Sequence, residues 1–352
     1  MSVTDKIAVI GAGSWGTANA GLLAGKGYSV SLWALEPEVV ESVNESRRNP
    51  YYLTDVELPR GVRATGDLAE ALKDASVVVF ASPSHVLRSV VSAARDHLTP
   101  SMSVVSLAKG IEQGTLLRMT EVLKEELSET VHGRLAVLSG PNHAEEVSKE
   151  IPSATVVAAF DPSVARHLQQ TFMTSYFRVY TNSDVIGVEL GGATKNVVAI
   201  GAGVSDGLGF GDNTKASLIT RGLAEMARLG TRLGARPLTF SGLSGMGDLI
   251  ATCTSRHSRN RRVGEQLAKG MTVAQIAETT KMVAEGVRTA PAVHELAQRS
   301  GVEMPIVAEV TAVLDGGKDP GEAVTSLMTR GATDELDEIA LLTAGGLQEG
   351  CS

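Results

Sequence analysis

Cysteine is nearly absent from this 352-residue chain, which has only Cys253 and Cys351. Two thiols cannot form the disulfide framework of a small secreted domain, and no CxxC or HExxH spacing offers a metal site. Surplus basic charge is lacking as well. Lys and Arg total 32 against 40 for Asp and Glu, a net charge of −8, which argues against a protein that coats nucleic acid. Long apolar runs are missing: stretches such as Val77–Ala81 fall far short of the ~20 residues of a membrane span, so no stable membrane insertion is expected. The opening Met1-Ser2-Val3-Thr4-Asp5-Lys6 runs into a strand pattern without the apolar region of a signal peptide, and a cytoplasmic location is expected. What remains is 43% hydrophobic and 20% charged, the balance of a globular protein with a sizeable core. The length suggests about two domains.

The first half alternates short β-branched runs with helical patterns. Ile7-Ala8-Val9-Ile10, Tyr28–Trp33, Ser76–Ala81, Val104–Leu107, Leu135–Leu138 and Thr155–Ala159 read as strands. Apolar runs of this length, separated by helices, fit a mainly parallel sheet covered on both faces, a doubly wound α/β fold. After about Asn182 the spacing changes to three and four, as in Thr214–Leu229 and Val287–Arg299, and an all-α domain is predicted. Thr272-Val273-Ala274-Gln275 and Thr289-Ala290-Pro291-Ala292 read as helix starts, the second with Pro291 in its first turn. Gly230, Gly234 and Gly301 read as helix stops. The expected division is 1–182, 183–340 and a flexible, glycine-rich tail over 341–352.

Gly11-Ala12-Gly13-Ser14-Trp15-Gly16 lies between strand Ile7–Ile10 and helix Ser14–Lys26, where a dinucleotide site needs it. The first glycine allows the tight turn, the second lets a pyrophosphate approach the backbone, and the third permits close helix–strand packing. The second strand ends Trp33-Ala34-Leu35-Glu36. Glu36 reads either as the acid that bonds the ribose hydroxyls of NAD or as a solvated carboxylate capping the next helix. With no arginine at 34–35 to receive a 2′-phosphate, the cofactor reads as NAD or NADP, with NAD favoured.

In the second half, Glu189-Leu190-Gly191-Gly192-Ala193-Thr194-Lys195-Asn196-Val197 sets a lysine and an asparagine among small and apolar residues. Lys195 reads as a buried functional amine rather than a snorkelling surface chain, because Val197-Val198-Ala199-Ile200 follow it. Ser244-Gly245-Met246-Gly247-Asp248-Leu249 comes later, then Thr252 to Arg262, where Arg256, Arg259, Arg261 and Arg262 fall within seven positions. Arginine forks with serine or asparagine donors at a helix start suit a phosphate; the other reading is a solvated basic face. Cys253 reads as a small packed side chain. His85 is assigned no chemistry, and His257 reads equally as a neighbour of the phosphate segment or as solvent-facing.

Together these segments resemble the bacterial, cytosolic NAD(P)-dependent glycerol-3-phosphate dehydrogenases. The resemblance rests on Gly11–Gly16, Ser106-Leu107-Ala108-Lys109-Gly110, Ser139-Gly140-Pro141-Asn142, Glu189–Val197, Gly245–Leu249 and Ser258-Arg259-Asn260, in order from residue 6 to about 330. It implies a Rossmann domain followed by a helical domain, and transfer of a hydride between the nicotinamide and dihydroxyacetone phosphate. The product, sn-glycerol 3-phosphate, is a phospholipid precursor. It also implies Lys195 as acid/base with Asp248 and Asn196 beside it. Substrate contacts would come from Lys109, Gly140 and Asn142 in the first domain and from Ser258, Arg259 and Asn260 in the second. Gly11, Gly13, Ser14, Trp15, Gly16, Lys109, Ala144, Arg259, Val283 and Glu285 match positions near the dinucleotide. Two departures stand out. Ala34 and Leu35 replace a frequent arginine or histidine, and Asn142 replaces a frequent serine or threonine. A ketopantoate-reductase-like or 3-hydroxyacid-dehydrogenase-like enzyme, or a non-catalytic dinucleotide sensor, are the alternatives. Oligomeric state is not legible, and a homodimer is compatible with the pattern.

Overall fold

Ile7, Ala8, Val9 and Ile10 are all fully buried, because the strand they form lies at the centre of a sheet with both faces covered. This is β1 (Lys6–Ile10) of a computed structural model that describes residues 5–279 and 284–332. The other strands are β2 (Ser29–Trp33), β3 (Val62–Thr65), β4 (Ala75–Phe80), β5 (Ser103–Ser106), β6 (Leu135–Ser139), β7 (Ser153–Ala159) and β8 (Phe177–Asn182). Their order across the sheet is β3-β2-β1-β4-β5-β6-β7-β8. All neighbours are parallel except β6 and β7, which pair antiparallel with Ala136 opposite Ala159 and Ser139 opposite Val156. The strand order reverses beside β1, which has β2 on one side and β4 on the other. A crevice at the carboxyl ends of β1 and β4 is where such sheets take ligands.

Two strands go beyond the expectation. β3 is a four-residue strand beside β2 with Arg63 exposed, and β8 alternates buried Phe177 and Val179 with exposed Arg178 and Tyr180. Edge strands have one neighbour and one wetted face, so they carry charge and lack the continuous apolar run that identifies inner strands.

The chain forms two compact units, Met1–Lys109 with Met119–Val185, and Gly110–Arg118 with Ile186–Ser352. The second unit therefore takes in 110–118, which the reading from sequence placed with the first. The reason is packing: Ile111 and Leu116 are buried in the second unit's core, and Arg118 pairs with buried Glu189 at 2.6 Å. The tail over 341–352 lies outside the described residues.

The second unit is built on the helix Val185–Gly207. It is long and apolar enough to cross a membrane, yet it is almost wholly buried within the protein. Around it stand Asp212–Arg232, Asp248–Thr254, Arg259–Leu267, Glu285–Arg299, Pro305–Leu314 and Pro320–Met328. Glycines let three of these helices meet backbone to backbone. A Cβ at Gly203 would run into the Arg261 carbonyl, one at Gly264 into the Ile200 carbonyl, and one at Gly286 would come within 2.6 Å of the Asn196 carbonyl oxygen. Asn196, Asn260 and Gly286 are thereby brought together.

Two punctuation readings are corrected. Pro291 lies inside the helix Glu285–Arg299, not in its first turn. The helix starts six residues earlier than Pro291, where the Asn260 side-chain oxygen accepts from Gly286 N at 2.9 Å, and the proline costs an interior hydrogen bond. Gly230 does not stop its helix; it lies within Asp212–Arg232, and a Cβ there would run into the Phe240 ring. Gly234 and Gly301 do follow helix ends, with φ of +90° and +66°.

Candidate functional site

In the first unit the dinucleotide end of the site is made mainly of backbone. Gly11 has φ +116°, and its N–H donates to the Trp33 carbonyl at 3.1 Å, tying the turn after β1 to the end of β2. A Cβ at Gly11 would sit 2.9 Å from Ser82 N and 3.0 Å from the Ala81 carbonyl carbon, so only glycine lets the turn lie against the end of β4. Gly16 packs helix α1 (Ser14–Gly25) on that turn, since a Cβ there would run into the Gly11 carbonyl. Gly13 stands at the helix start with nothing within 4 Å of its absent Cβ, no side chain caps α1, and its first turn carries no acid. First-turn amides have no intrahelical partner, and here no carboxylate competes for them. The Ser82 hydroxyl is buried at the same edge without a partner among the described residues. A glycine cradle, uncapped amides and an orphaned hydroxyl fit a dinucleotide pyrophosphate.

Trp15 is the second residue of α1. Its indole packs against Phe177, with ring centroids 6.3 Å apart, and its carbonyl accepts from Asn19 at 2.8 Å. Ala144, likewise, is buried at the start of the short helix Ala144–Val147, leaving its amide as the polar group it can offer.

At the ends of β5 and β6, three expected substrate residues are joined. Lys109 Nζ donates to the Gly140 carbonyl at 3.0 Å and to Asn142 Oδ1 at 3.2 Å. Asn142 Nδ2 donates to Thr155 Oγ1 at 3.0 Å, and Thr155 donates to the Ser139 carbonyl at 2.9 Å. Gly140, with φ +155°, must be glycine because a Cβ would lie 2.9 Å from the Thr155 Cα. Asn142 is therefore a holder of the Lys109 ammonium.

Glu36 stands at the N-cap position of helix α2 (Pro37–Ser46), but its side chain makes no capping hydrogen bond. Instead its Oε1 accepts from the Tyr52 hydroxyl at 3.2 Å. The capping reading of Glu36 is therefore not realised as a hydrogen bond. Leu35 beside it is 77% exposed. Arg47 and Arg48 both pair with Glu57.

In the second unit the site is made of buried side chains. Lys195 and Asp248 are 6% and 3% exposed, and Lys195 Nζ lies 3.0 Å from Asp248 Oδ1. Nζ also donates to Thr252 Oγ1 at 2.7 Å, and Thr252 in turn lies 2.6 Å from the Asp248 carbonyl. Burial makes an ion pair depend on full hydrogen bonding, and Thr252 contributes to it. The reading from sequence missed Thr252, although it lies one helical turn beyond Asp248 on the same face. Asn196 Oδ1 accepts from Asn260 Nδ2 at 2.8 Å, which links the lysine helix to Arg259–Leu267.

Ser258, expected at the substrate, accepts from Arg261 N at 3.2 Å as the cap of the helix Arg259–Leu267. The four arginines separate. Arg261 is held by Asp206 at 2.6 Å and Glu265 at 2.9 Å, so it belongs to neither a basic face nor an open anion site. Arg259 is exposed in the first helical turn, directly before buried Asn260. Glu285 is half-buried in the first turn of Glu285–Arg299; Val283 lies outside the described residues. Cys253 is fully buried, and burial pushes its thiol up to about 12, so no thiolate nucleophile arises. His85 is exposed and His257 half-buried. Among the described residues no group of three His, Cys, Asp or Glu side chains converges on a metal position.

Comparison with known proteins agrees with this layout. Residues 6–165 match the family model for the NAD-dependent glycerol-3-phosphate dehydrogenase N-terminus, and residues 184–325 match the model for its C-terminus. A glycerol-3-phosphate dehydrogenase [NAD(P)+] of Pelotomaculum thermopropionicum is 50% identical over 342 residues, 97% of this chain and 98% of that one. The protein of the same name from Geobacillus kaustophilus is 51% identical over 336 residues, 95% and 97% of the two chains. The crystal structure of glycerol-3-phosphate dehydrogenase from Coxiella burnetii superposes with a TM-score of 0.88 at 37% identity, covering 93% and 99%.

Proposed function

The chain belongs to the NAD-dependent glycerol-3-phosphate dehydrogenase family, and from that premise we propose how its residues divide the reaction. The enzyme is an oxidoreductase that interconverts dihydroxyacetone phosphate and sn-glycerol 3-phosphate with NAD or NADP. The turn Gly11–Gly16 would hold the dinucleotide, which in its reduced form would supply the hydride.

The observation that carries the assignment of roles is the buried Lys195 ammonium, held by Asp248 at 3.0 Å and Thr252 at 2.7 Å. As hydride reaches the ketone carbon, negative charge grows on its oxygen. Lys195 Nζ polarises that oxygen and gives it a proton, and in the reverse direction takes it back. Asp248 is the orienting carboxylate, and its fixed charge keeps the amine aimed. Arg259 and Asn260 hold the phosphate, with Asn260 braced by Asn196 and Gly286 and the arginine fork supplying charge. Lys109, placed by the Gly140 carbonyl and Asn142, is the first unit's cation for substrate. The domain division is read as 1–182 and 183–340, with 110–118 joining the second part.

On the dinucleotide side, Gly11, Gly13 and Gly16 shape the turn, while Ser14, Trp15 and Ala144 offer backbone amides. NAD is the favoured cofactor. The support is Glu36, whose side chain makes no helix-capping hydrogen bond, and the lack of an arginine at 34–35. The enzyme works in the cytoplasm as a homodimer without membrane insertion. Exposed Leu238, Met246 and Ile250 on adjoining segments of the second unit support the dimer, which light scattering would read directly.

The test is near-ultraviolet absorbance with dihydroxyacetone phosphate, run in parallel with NADH and NADPH. Cofactor oxidation only when the ketone is present is the expected result, faster with NADH. Silence with both cofactors, in folded protein that still binds dinucleotide, would move the reading to another ketone or to a sensor.

A further inference from the structure

Asn49 is fully buried, and its amide is saturated. Nδ2 donates to the Ala12 carbonyl at 2.8 Å and to Thr17 Oγ1 at 2.9 Å. Oδ1 accepts from Tyr51 N at 3.1 Å and Tyr52 N at 3.0 Å. An amide side chain has two donors and two acceptor sites, and Asn49 uses all four: its donors join it to the turn that cradles the dinucleotide and to α1, while its oxygen folds the segment 49–52 onto itself. The Tyr52 ring then reaches the end of β2, where its hydroxyl donates to Glu36 Oε1 at 3.2 Å. Trp33, three residues before Glu36, is itself hydrogen-bonded to Gly11. A closed circuit results: glycine turn, Asn49, Tyr52, Glu36, β2 and back to the glycine turn.

We propose that Tyr52 is a positioning residue for cofactor choice, holding the Glu36 carboxylate where it accepts the ribose 2′-hydroxyl of NAD(H) and repels a 2′-phosphate. This rests on the assignment of Glu36 to the adenosine ribose. A half-buried carboxylate at a helix start otherwise samples several rotamers, and ordering it on binding weakens affinity. The phenol removes that cost for a hydroxyl. It also prevents the swing away from an incoming phosphate that would relieve like-charge repulsion. Asn49 makes the arrangement rigid with respect to the pyrophosphate turn, so the distance between phosphate-binding and ribose-binding groups is set within one hydrogen-bonded loop.

Calorimetric titration of the full-length protein with NADH and with NADPH tests this without turnover. Tyr52→Phe keeps the ring and removes the hydroxyl. It is expected to weaken NADH by up to about tenfold while leaving NADPH unchanged or tighter, so that the ratio of the two dissociation constants moves toward NADPH. Glu36→Gln is expected to move the ratio further in the same direction, and Tyr52→Phe added to Glu36→Gln to have no further effect. Tyr52→Phe weakening both cofactors equally would make the tyrosine a structural support and overturn the proposal. A ratio moved by Glu36→Gln but not by Tyr52→Phe would overturn the positioning role while leaving Glu36 at the ribose. A ratio unmoved by Glu36→Gln would remove the underlying assignment and the proposal with it.

Discussion

The two units place opposite materials at their functional ends. At its dinucleotide end the first presents mainly main chain: a positive-φ glycine, uncapped amides at α1, and carbonyls tied strand to strand. The second presents side chains in buried, mutually bonded groups, Lys195 with Asp248 and Thr252, and Asn196 with Asn260. A cofactor that many enzymes share can be held by backbone dipoles, which need only the right curvature. A proton delivered to one substrate oxygen needs a titratable group in one place, and that takes charge, burial and a full set of partners. Damage to the first region should therefore be steric and should appear in binding. Damage to the second should be chemical and should appear in turnover.

Lys195→Ala tests the separation most severely. Turnover is expected to fall by about 10²- to 10⁴-fold, with dinucleotide affinity within about twofold of the unaltered enzyme, read by steady-state kinetics and calorimetry. Loss of both together would erase the distinction between the regions.

The converse change is Gly16→Ala, whose new Cβ would run into the Gly11 carbonyl and lie 3.1 Å from the Ala81 Cβ. Overpacking of this kind costs about 1–3 kcal/mol of stability, and NADH and NADPH affinities should drop together. Gly13→Ala sharpens the point, because nothing lies within 4 Å of that position. Stability should stay within about 0.5 kcal/mol while affinity falls, since the methyl group occupies the approach of the pyrophosphate. Urea unfolding and calorimetry on the two variants separate a packing glycine from an access glycine. Equal stability losses would contradict the assignment.

Arg259→Ala comes next in size. Losing a charged hydrogen bond to phosphate should raise the Michaelis constant for dihydroxyacetone phosphate by about tenfold or more, with the turnover number much less affected. Use of unphosphorylated dihydroxyacetone as readily as the ester by the unaltered enzyme would mean that Arg259 anchors nothing.

What was legible in the sequence follows the same division. Local chemistry reads well. The turn Gly11 to Gly16 between a strand and a helix, and the burial of Lys195 among small residues, are each signalled within a few neighbours. Inner strands such as β1 and β4 read well because burial on both faces demands an unbroken apolar run. The edges β3 and β8 do not, because Arg63, Arg178 and Tyr180 face outward. Pro291 misled because the cap that starts its helix earlier, Asn260 to Gly286, comes from another helix. The capping role of Ser258 was hidden because capping and phosphate binding favour the same residue at the same position. Asn49 and Tyr52 gave no local signal at all. Their meaning lies in the Ala12 carbonyl and the Glu36 carboxylate, 37 and 16 residues away, and only tertiary structure brings these together.

The smallest effect concerns two carboxylates that do the same work in the two units. Asp161 caps the helix Pro162–Phe172 on the first unit's surface, and the hydrogen bonds from Ser163 hold it below the usual carboxylate range. Glu225 caps Pro305–Leu314 in the second unit, accepting from Ile306 N at 2.8 Å and Val307 N at 3.3 Å. Burial pushes Glu225 up to about 7, against the opposing pull of those amides, Arg228 and Arg330. The signs of the pH dependence are therefore opposite. Asp161 stabilises above its unfolded value and loses that contribution as acid protonates it. Glu225 keeps a proton in the folded state that the unfolded chain releases near 4.5, so its contribution falls as pH rises from there through about 7. The span corresponds to at most roughly 3 kcal/mol. Glu225→Gln removes this titration while keeping an oxygen for the Ile306 amide. Its unfolding free energy relative to the unaltered protein should rise between pH 5 and pH 8, as read by urea denaturation at each pH. A difference that stays flat across that interval would mean that Glu225 is already ionised in the folded state at pH 5, and the contrast between wet and buried caps would fail with it.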